Sequence, residues 1–160
     1  MNKFKLNEEI VFGDKDKPFV LLAGPCVIES LEGSLRIAAE IKNITEKLGI
    51  PYVFKASFDK ANRSSINSYR GPGIKDGIEI LQTIKGRLNL PIVSDIHQPS
   101  QAETAAEVLD IIQIPAFLSR QTDLLVAAGR TGKIINVKKG QFLAPCDIDK
   151  KIKKIKSTGN

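Results

Sequence analysis

Short apolar runs alternate along the chain with longer segments in which apolar residues recur every three or four positions. The first run, Phe19–Ala23, predicts a buried strand, and the segment after it predicts a helix with Ser30 as N-cap and Gly49 as C-terminal stop. The pattern then repeats, so further strands are predicted at residues 52–57, 91–96, 110–117 and 133–140. The other helices are predicted at about residues 75–88, 100–109, 121–132 and 149–156, the second of these four capped by Ser100.

Five strand-then-helix units predict an α/β fold, with a parallel sheet and helices packed against its faces. Ahead of them, residues 1–17 predict a short β-hairpin that turns near Gly13–Asp14. Two architectures fit this order, an open doubly wound sheet and a TIM (β/α)8 barrel. The doubly wound sheet is disfavoured because no G-x-G-x-x-G segment follows the first strand.

Polar residues at the carboxyl ends of all five strands favour the barrel, because barrel enzymes draw catalytic residues from the ends of many strands. These residues are Cys26, Lys55, Asp95, Gln113 and Lys138. A complete barrel needs eight units and about 250 residues, so five strands cannot close one. We therefore expect residues 1–160 to form a single domain that is the N-terminal part of a larger barrel, with its first five strands and helices in residues 18–160.

The composition is that of a soluble globular domain, with 42% apolar and 26% charged residues. No run approaches the roughly 18 apolar residues of a membrane span, and the N-terminus shows no apolar signal segment. Cys26 and Cys146 lie far apart and form no C-x-x-C pair, so reduced thiols are expected. These features predict a cytoplasmic protein without a membrane partner.

A net charge of +6 suits anionic ligands, and much of the excess lies in the lysine-rich segment Asp149–Lys156. That segment could be a nucleic-acid surface or the solvated face of a helix. Ile148, Ile152 and Ile155 have the spacing of one apolar helix stripe, which places the lysines on the opposite face. No aromatic residue for base stacking interrupts the segment. We therefore expect a solvated helix face and no nucleic-acid partner.

The segment Phe54–Ser65, FKASFDKANRSS, crowds cationic and neutral hydrogen-bond donors directly after the second core strand. Its candidates for binding phosphorylated ligands are Lys55, Lys60, Asn62, Arg63, Ser64 and Ser65. Arginine binds phosphate oxygens through two parallel hydrogen bonds, and lysine acts as a compact charge. A polar surface loop would have a similar composition. Lys55 favours a binding site, because a lysine that interrupts a strand must reach a site or lie stranded in the core.

Other candidates follow the later strands. Asp95 could orient a hydroxyl group or activate water, and Arg120 with Gln121 adds a cation and an amide after the fourth strand. Lys138 and Lys139 close the fifth strand. Taken singly, each would be a surface group; five strand ends with such residues favour a site.

Two further residues leave alternatives open. His97, the only histidine, is a candidate base or a structural residue. Cys26 is a small buried hydrophobe or a thiolate ligand for a divalent metal. No second cysteine or histidine is spaced to complete a metal site with it.

Several longer motifs resemble a known family. The segments LLAGPCVIES, FKASFDKANRSSINSYRGPG, SDIH, IIQIPAFLSRQTDLL and NVKKGQFLAP are similar to those of 3-deoxy-D-manno-octulosonate 8-phosphate synthases. The similarity runs from about Phe19 to Asp147. The related heptulosonate phosphate synthases share the Gly-Pro-Cys start, but they usually carry Lys-Pro-Arg-Thr where this chain has FKASFDKANRSS.

The resemblance implies a TIM-barrel transferase that condenses phosphoenolpyruvate with D-arabinose 5-phosphate and water, releases phosphate and supplies lipopolysaccharide biosynthesis. It implies that phosphoenolpyruvate is held by Lys55, Lys60, Gln113 and Lys138. The sugar phosphate would be held by Asn62, Arg63, Ser64 and Asp95. Arg120 would reach the sugar phosphate of a neighbouring subunit, which implies a homo-oligomer, commonly a tetramer.

The resemblance also bears on a metal. Metal-dependent members carry cysteine at the position of Cys26, and metal-independent members carry asparagine, so a divalent metal such as Mn, Fe or Zn is expected. The remaining ligands, a His, a Glu and an Asp, would lie beyond Asn160, as would a further arginine for phosphoenolpyruvate. Two alternatives stay open: a non-catalytic half-barrel that binds phosphorylated ligands, and a sibling heptulosonate 7-phosphate synthase.

Overall fold

The computed structural model describes residues 3–160, and the predicted alternation of strands and helices is confirmed there. The strands are β1 Phe4–Lys5, β2 Val11–Phe12, β3 Leu21–Ala23, β4 Tyr52–Lys55, β5 Ile92–Asp95, β6 Ile111–Ile114 and β7 Ile134–Val137. The helices are α1 Leu31–Leu48, α2 Ile74–Leu88, α3 Ala102–Val108, α4 Thr122–Arg130 and α5 Ile148–Lys156. Short 3-10 turns precede the last three, at Pro99–Gln101, Ala116–Leu118 and Pro145–Asp147. Each strand from β3 to β7 is therefore followed by one helix.

The core strands form a five-stranded sheet in chain order, β3-β4-β5-β6-β7. The pairs β3–β4, β4–β5 and β6–β7 are parallel, as the order of elements predicts. Strands β5 and β6 are buried at every position, whereas β3 and β7 are half-buried along their length. This gradient follows from the position of β3 and β7 at the two ends of the strand order.

The chain divides into two compact units, one up to Val93 and the other Ser94–Asn160, with the boundary inside β5. The interpretation of residues 1–160 as one barrel-derived domain stays a prediction. Within residues 3–160, no helix is both long enough and apolar enough to span a membrane.

The N-terminal hairpin is present, but its predicted turn is wrong. Strands β1 and β2 pair antiparallel, with Phe4 opposite Phe12. The turn lies between them, where Leu6 N–H donates to the Ile10 carbonyl at 2.9 Å. The Asn7 side chain accepts from Ile10 N–H at 2.8 Å, and this local bond to the backbone turns the chain before Gly13 is reached.

The cap assignments have a mixed outcome. Ser30 caps α1 by accepting from Gly33 N–H at 3.1 Å, and Gly49 ends it with a left-handed φ of 63°, as predicted. Ser100 is not a cap, because it lies inside the 3-10 turn Pro99–Gln101. The N-cap of that turn is Gln98, and the Gln101 side chain accepts from Gln98 N–H at 3.2 Å and from His97 N–H at 2.7 Å.

The lysine helix α5 is rotated relative to the sequence prediction. Ile155 is buried, but Ile152 is 39% exposed and Lys151 is only 5% exposed. The Lys151 ammonium donates to the Asp147 carbonyl at 3.0 Å, which satisfies its head while its aliphatic stem packs. The prediction that every lysine of the helix lies on a solvated face is therefore wrong for Lys151.

Candidate functional site

In the first unit, Lys55 and Ser57 lie at the carboxyl end of β4. The Lys55 ammonium donates to the Ser57 hydroxyl oxygen at 2.9 Å, and Ser57 is fully buried. Ser57 is itself fixed by a parallel bridge to Val27, and its carbonyl accepts from Ile28 N–H at 3.0 Å. The bond to Ser57 therefore fixes the direction of the half-buried Lys55 side chain at the strand end. A lysine that binds a ligand needs such a fixed direction.

The segment that follows β3 packs closely against the same strand end. A Cβ atom on Gly24 would overlap the Lys55 carbonyl oxygen, so only glycine allows this approach. Two residues later Cys26 is free and exposed. The alternative of a small buried hydrophobe is therefore wrong, and the thiol is accessible to ligands.

The loop after β4 is closed at its base. Lys60 N–H donates to the Arg70 carbonyl at 2.6 Å. The Arg70 guanidinium donates two hydrogen bonds to the Asp59 carboxylate, of 2.9 and 2.6 Å. The Asp59 carboxylate raises the pKa of Arg70. The Tyr69 hydroxyl donates to the Ile28 carbonyl at 3.0 Å and ties the loop to the segment that carries Cys26.

Three predicted ligands, Asn62, Arg63 and Ser64, lie exposed on this closed loop. Arg63 Nε donates to the Tyr69 carbonyl at 3.2 Å, which fixes the plane of the guanidinium group. Lys60 is half-buried at the start of the loop. Hydrogen bonds therefore hold this cationic loop in one conformation, unlike a flexible polar surface loop.

In the second unit, three polar side chains lie in one row across neighbouring strands. Gln113 pairs directly with Asn136, and Asn136 Nδ2 donates to Gln113 Oε1 at 3.1 Å. Ile96 N–H donates to the Gln113 carbonyl at 3.1 Å, which in a parallel pair sets Asp95 level with Gln113. Side chains of paired residues point to the same face, so all three share it.

Asp95 and Gln113 are almost completely buried, at 6% and 9% exposure. Asp95 Oδ2 lies 3.2 Å from His97 Nε2, so the histidine contacts the predicted catalytic carboxylate. This contact gives His97 a structural role beside Asp95.

Lys138 and Lys139 follow β7 but differ in their contacts. Lys138 lies two residues after Asn136, on the same face of the extended chain, and its side chain is exposed. Its N–H donates to the Ile114 carbonyl at 3.0 Å and continues the β6–β7 pairing. The Lys139 ammonium instead donates to the carbonyls of Gly140 and Leu143, at 2.8 and 2.9 Å. Lys139 therefore stabilises the turn after β7.

Arg120 and Gln121 are exposed at the start of α4. The Lys154 ammonium of α5 donates to the Arg120 carbonyl at 3.3 Å and to the Thr122 hydroxyl oxygen at 2.6 Å. The backbone beneath Arg120 is therefore fastened to α5, while its side chain faces solvent.

Sequence reasoning missed three residues that shape these groups: Ser57, Arg70 and Asn136. Asn136 could have been identified from the sequence, because it is the only polar residue in the otherwise apolar strand Ile134–Val137. Ser57 and Arg70 carried none, since each is defined by a partner that only the folded chain brings near.

A metal ion would find one suitable donor here, the accessible Cys26 thiol. No group of three His, Cys, Asp or Glu residues that could hold a metal occurs among residues 3–160. The donors in this part of the chain therefore do not form a metal centre by themselves.

The sequence matches a known family. The model of the DAHP synthetase I family matches residues 2–160. The chain belongs to the DAHP synthetase I family. Within this family, its similarity to particular proteins is high along nearly its whole length.

Relatives named 2-dehydro-3-deoxyphosphooctonate aldolase, which is Kdo-8-phosphate synthase, confirm the resemblance read from the motifs. The protein of Geotalea uraniireducens is 58% identical over 145 residues, which are 91% of this chain and 53% of the relative. That of Fusobacterium nucleatum is 56% identical over 160 residues, which are 100% of this chain and 57% of the relative. That of Shewanella amazonensis is 59% identical over 145 residues, 91% of this chain and 51% of the relative. The chain thus spans about half the length of the curated relatives it matches.

Proposed function

We propose that this chain carries the substrate-binding strand ends of an enzyme that condenses phosphoenolpyruvate with D-arabinose 5-phosphate and water. The products are 3-deoxy-D-manno-octulosonate 8-phosphate and inorganic phosphate. The observation that supports the proposal most strongly is the cationic loop after β4, which is closed by the Arg70–Asp59 bonds. The chain is also 58% identical to a relative named 2-dehydro-3-deoxyphosphooctonate aldolase. The enzyme is then a transferase of lipopolysaccharide biosynthesis in the cytoplasm.

The first unit suits two anionic substrates. Lys55 and Lys60 supply compact positive charges, which fit the carboxylate and phosphate groups of phosphoenolpyruvate. Asn62, Arg63 and Ser64 supply the amide, guanidinium and hydroxyl donors that fit a sugar phosphate. The Asp59–Arg70 ion pair and the Arg63–Tyr69 hydrogen bond hold these donors in a defined arrangement before any substrate binds. Such preorganisation lowers the entropy cost of bringing the substrates together.

The second unit carries three groups of the kinds that such a condensation uses. The Gln113 amide and the Lys138 ammonium are donors for the carboxylate or phosphate of phosphoenolpyruvate. Buried Asp95 is an acceptor that can orient a sugar hydroxyl or the attacking water.

In the proposed reaction, C3 of phosphoenolpyruvate forms a bond to the aldehyde carbon of the sugar while water adds at C2. The bond between C2 and the bridging oxygen then breaks, and phosphate leaves with that oxygen while C2 becomes a ketone. Of the two protons of the added water, one ends on the former aldehyde oxygen and the other on the departing phosphate. Charge moves from the enol phosphate toward the aldehyde oxygen and the departing phosphate. Fixed cations and amide donors stabilise that charge more strongly than bulk water does.

We further propose that the five parallel strands belong to a TIM barrel and that the enzyme is a homotetramer in which Arg120 reaches a neighbouring sugar phosphate. The exposure of Arg120, above a backbone fastened by Lys154, supports this role. Cys26 is proposed as one ligand of a divalent metal that would polarise the aldehyde or water. Among residues 3–160, no group of three His, Cys, Asp or Glu residues completes such a site.

Phosphate release tests the proposed function. The protein expressed from the complete reading frame that encodes this chain is incubated with phosphoenolpyruvate and arabinose 5-phosphate, with and without Mn²⁺. Phosphate release that requires both substrates is expected. Lys55→Met is expected to lower kcat/KM by at least about a hundredfold, while Lys85→Met, in α2, serves as the control. Release that continues without the sugar, or no release at all, contradicts the proposal.

A further inference from the structure

Asn136 is the partner of Gln113 in the sheet of the second unit. The two residues lie directly opposite each other on β6 and β7, and Asn136 Nδ2 donates to Gln113 Oε1 at 3.1 Å. Gln113 is buried, whereas Asn136 is half-buried. Their isoleucine and valine neighbours along the two strands point to the opposite face of the sheet. A buried amide needs a partner, because an unsatisfied one costs about 1–3 kcal/mol.

The bond has a chemical consequence for Gln113. A glutamine amide presents an acceptor oxygen on one side and an NH2 donor on the other. Since the oxygen is engaged by Asn136, the NH2 group points away from β7. Reversing the Gln113 amide alone would place two NH2 groups against each other, so the bond would persist only if the Asn136 amide reversed as well. Asn136 on β7 and the Asp95 carboxylate on β5, which can only accept, therefore both favour the orientation in which the Gln113 NH2 group points away from β7.

We infer that Asn136 is a positioning residue that keeps the Gln113 amide with its NH2 group toward the anionic substrate. The inference rests on the proposed function, in which Gln113 donates to phosphoenolpyruvate. Asn136 itself need not contact the substrate. A purely structural pair would instead stabilise the β6–β7 edge and leave substrate affinity unchanged.

Asn136→Asp is the most direct perturbation. A carboxylate can only accept, so the Gln113 amide would rotate to donate to it and present its oxygen to the substrate. A carbonyl oxygen facing an anion loses a hydrogen bond and adds repulsion. The KM for phosphoenolpyruvate is expected to rise by about ten- to a hundredfold, as loss of a hydrogen bond to a charged group does. The KM for the sugar phosphate is expected to stay within about twofold.

A double-mutant cycle separates this effect from direct repulsion by the new charge. In a Gln113→Ala background, Asn136→Asp has no amide to reverse, so its effect on the KM for phosphoenolpyruvate is expected to shrink to less than about threefold. If the full effect persists in that background, the new charge acts directly and the inference is wrong. Asn43→Asp, exposed on α1, adds the same charge elsewhere and serves as the matched control.

A second variant guards against misfolding. Asn136→Ala removes the donor without adding charge and is expected to raise the same KM by about two- to fivefold, with an unchanged kcat. Thermal melting of each variant shows whether it folds. An unaltered KM in both folded Asn136 variants overturns the inference while leaving the proposed function intact. Failure of the wild-type protein to release phosphate from the two substrates overturns both.

Discussion

Arg70 donates two hydrogen bonds to Asp59, of 2.9 and 2.6 Å. These bonds close the loop that carries Asn62, Arg63 and Ser64. The two residues are 11 positions apart in the chain. Because the guanidinium group offers two parallel donors, it fixes the direction of the loop as well as its closure.

Arg70→Lys is expected to weaken sugar-phosphate binding without unfolding the protein. An ammonium group cannot form both bonds in one plane, so the loop gains freedom. The KM for arabinose 5-phosphate should rise about three- to tenfold, whereas the melting temperature should change little, since exposed ion pairs contribute about 0–1 kcal/mol. Steady-state kinetics beside Arg87→Lys, a matched change in α2, check this. Equal KM values for both variants would contradict it.

Ser94 offers a test of buried polarity in β5. Its side chain is fully buried, and its hydroxyl oxygen has no hydrogen-bond partner among residues 3–160. Ser94→Ala is expected to leave the free energy of unfolding unchanged or to raise it by up to about 1 kcal/mol, because no bond is lost. Ser30→Ala makes the same chemical change at the N-cap of α1 and should cost about 1 kcal/mol. Urea unfolding of both variants compares them, and a larger loss for Ser94→Ala would contradict the prediction.

Tyr52 predicts a loss of stability in alkaline solution. The buried phenol donates to the Ala23 carbonyl at 3.1 Å, and burial raises the pKa of Tyr52 above its usual value. Above about pH 10 the unfolded chain releases this proton while the folded chain keeps it. The free energy of unfolding should therefore fall with pH, by at most about 1.4 kcal/mol per unit from this residue.

The phenylalanine variant isolates that contribution. Tyr52→Phe is expected to be about 1 kcal/mol less stable than wild type at pH 8, from the lost hydrogen bond. The difference should shrink between pH 9 and pH 11, because only the wild type has the Tyr52 contribution that falls with pH. Lysines titrate alike in both proteins and therefore do not change the difference. A difference that stays constant over this range would show that Tyr52 is not responsible.

The proposed metal role of Cys26 predicts sensitivity to chelation. Removal of divalent metal with EDTA is expected to abolish phosphate release, and Mn²⁺ or Zn²⁺ to restore it. Cys26→Ala should lose bound metal, as measured by elemental analysis, while Cys146→Ala keeps it. Cys26→Asn introduces the residue that the resemblance implies for metal-independent members, and it should release phosphate at a rate that EDTA does not change. Full wild-type activity in metal-free protein would contradict this role.

The sequence was sufficient to predict the order of elements. Continuous apolar segments such as Tyr52–Phe54 identify buried parallel strands, and Ser30 and Gly49 mark both ends of α1 by chemistry local to the backbone. The candidate residues at the strand ends followed from that order, because each polar residue stands directly after or within an apolar run.

The misplaced details depend on competition between nearby groups. Asn7 forms the hairpin turn before Gly13 can. Ser100 lies inside a 3-10 turn whose N-cap is Gln98, and the longer Gln101 side chain reaches back to His97 N–H. The pairing of Gln113 with Asn136 depends on the register of two strands, which no local pattern determines.

The central claim is the identity of the sugar substrate, and one competition assay tests it most directly. The protein receives phosphoenolpyruvate with equal concentrations of arabinose 5-phosphate and erythrose 4-phosphate, and mass spectrometry measures the acid phosphates formed. The eight-carbon product is expected to exceed the seven-carbon product by at least about a hundredfold. A predominant seven-carbon product would instead indicate a heptulosonate synthase, and the absence of both products would contradict an enzymatic role.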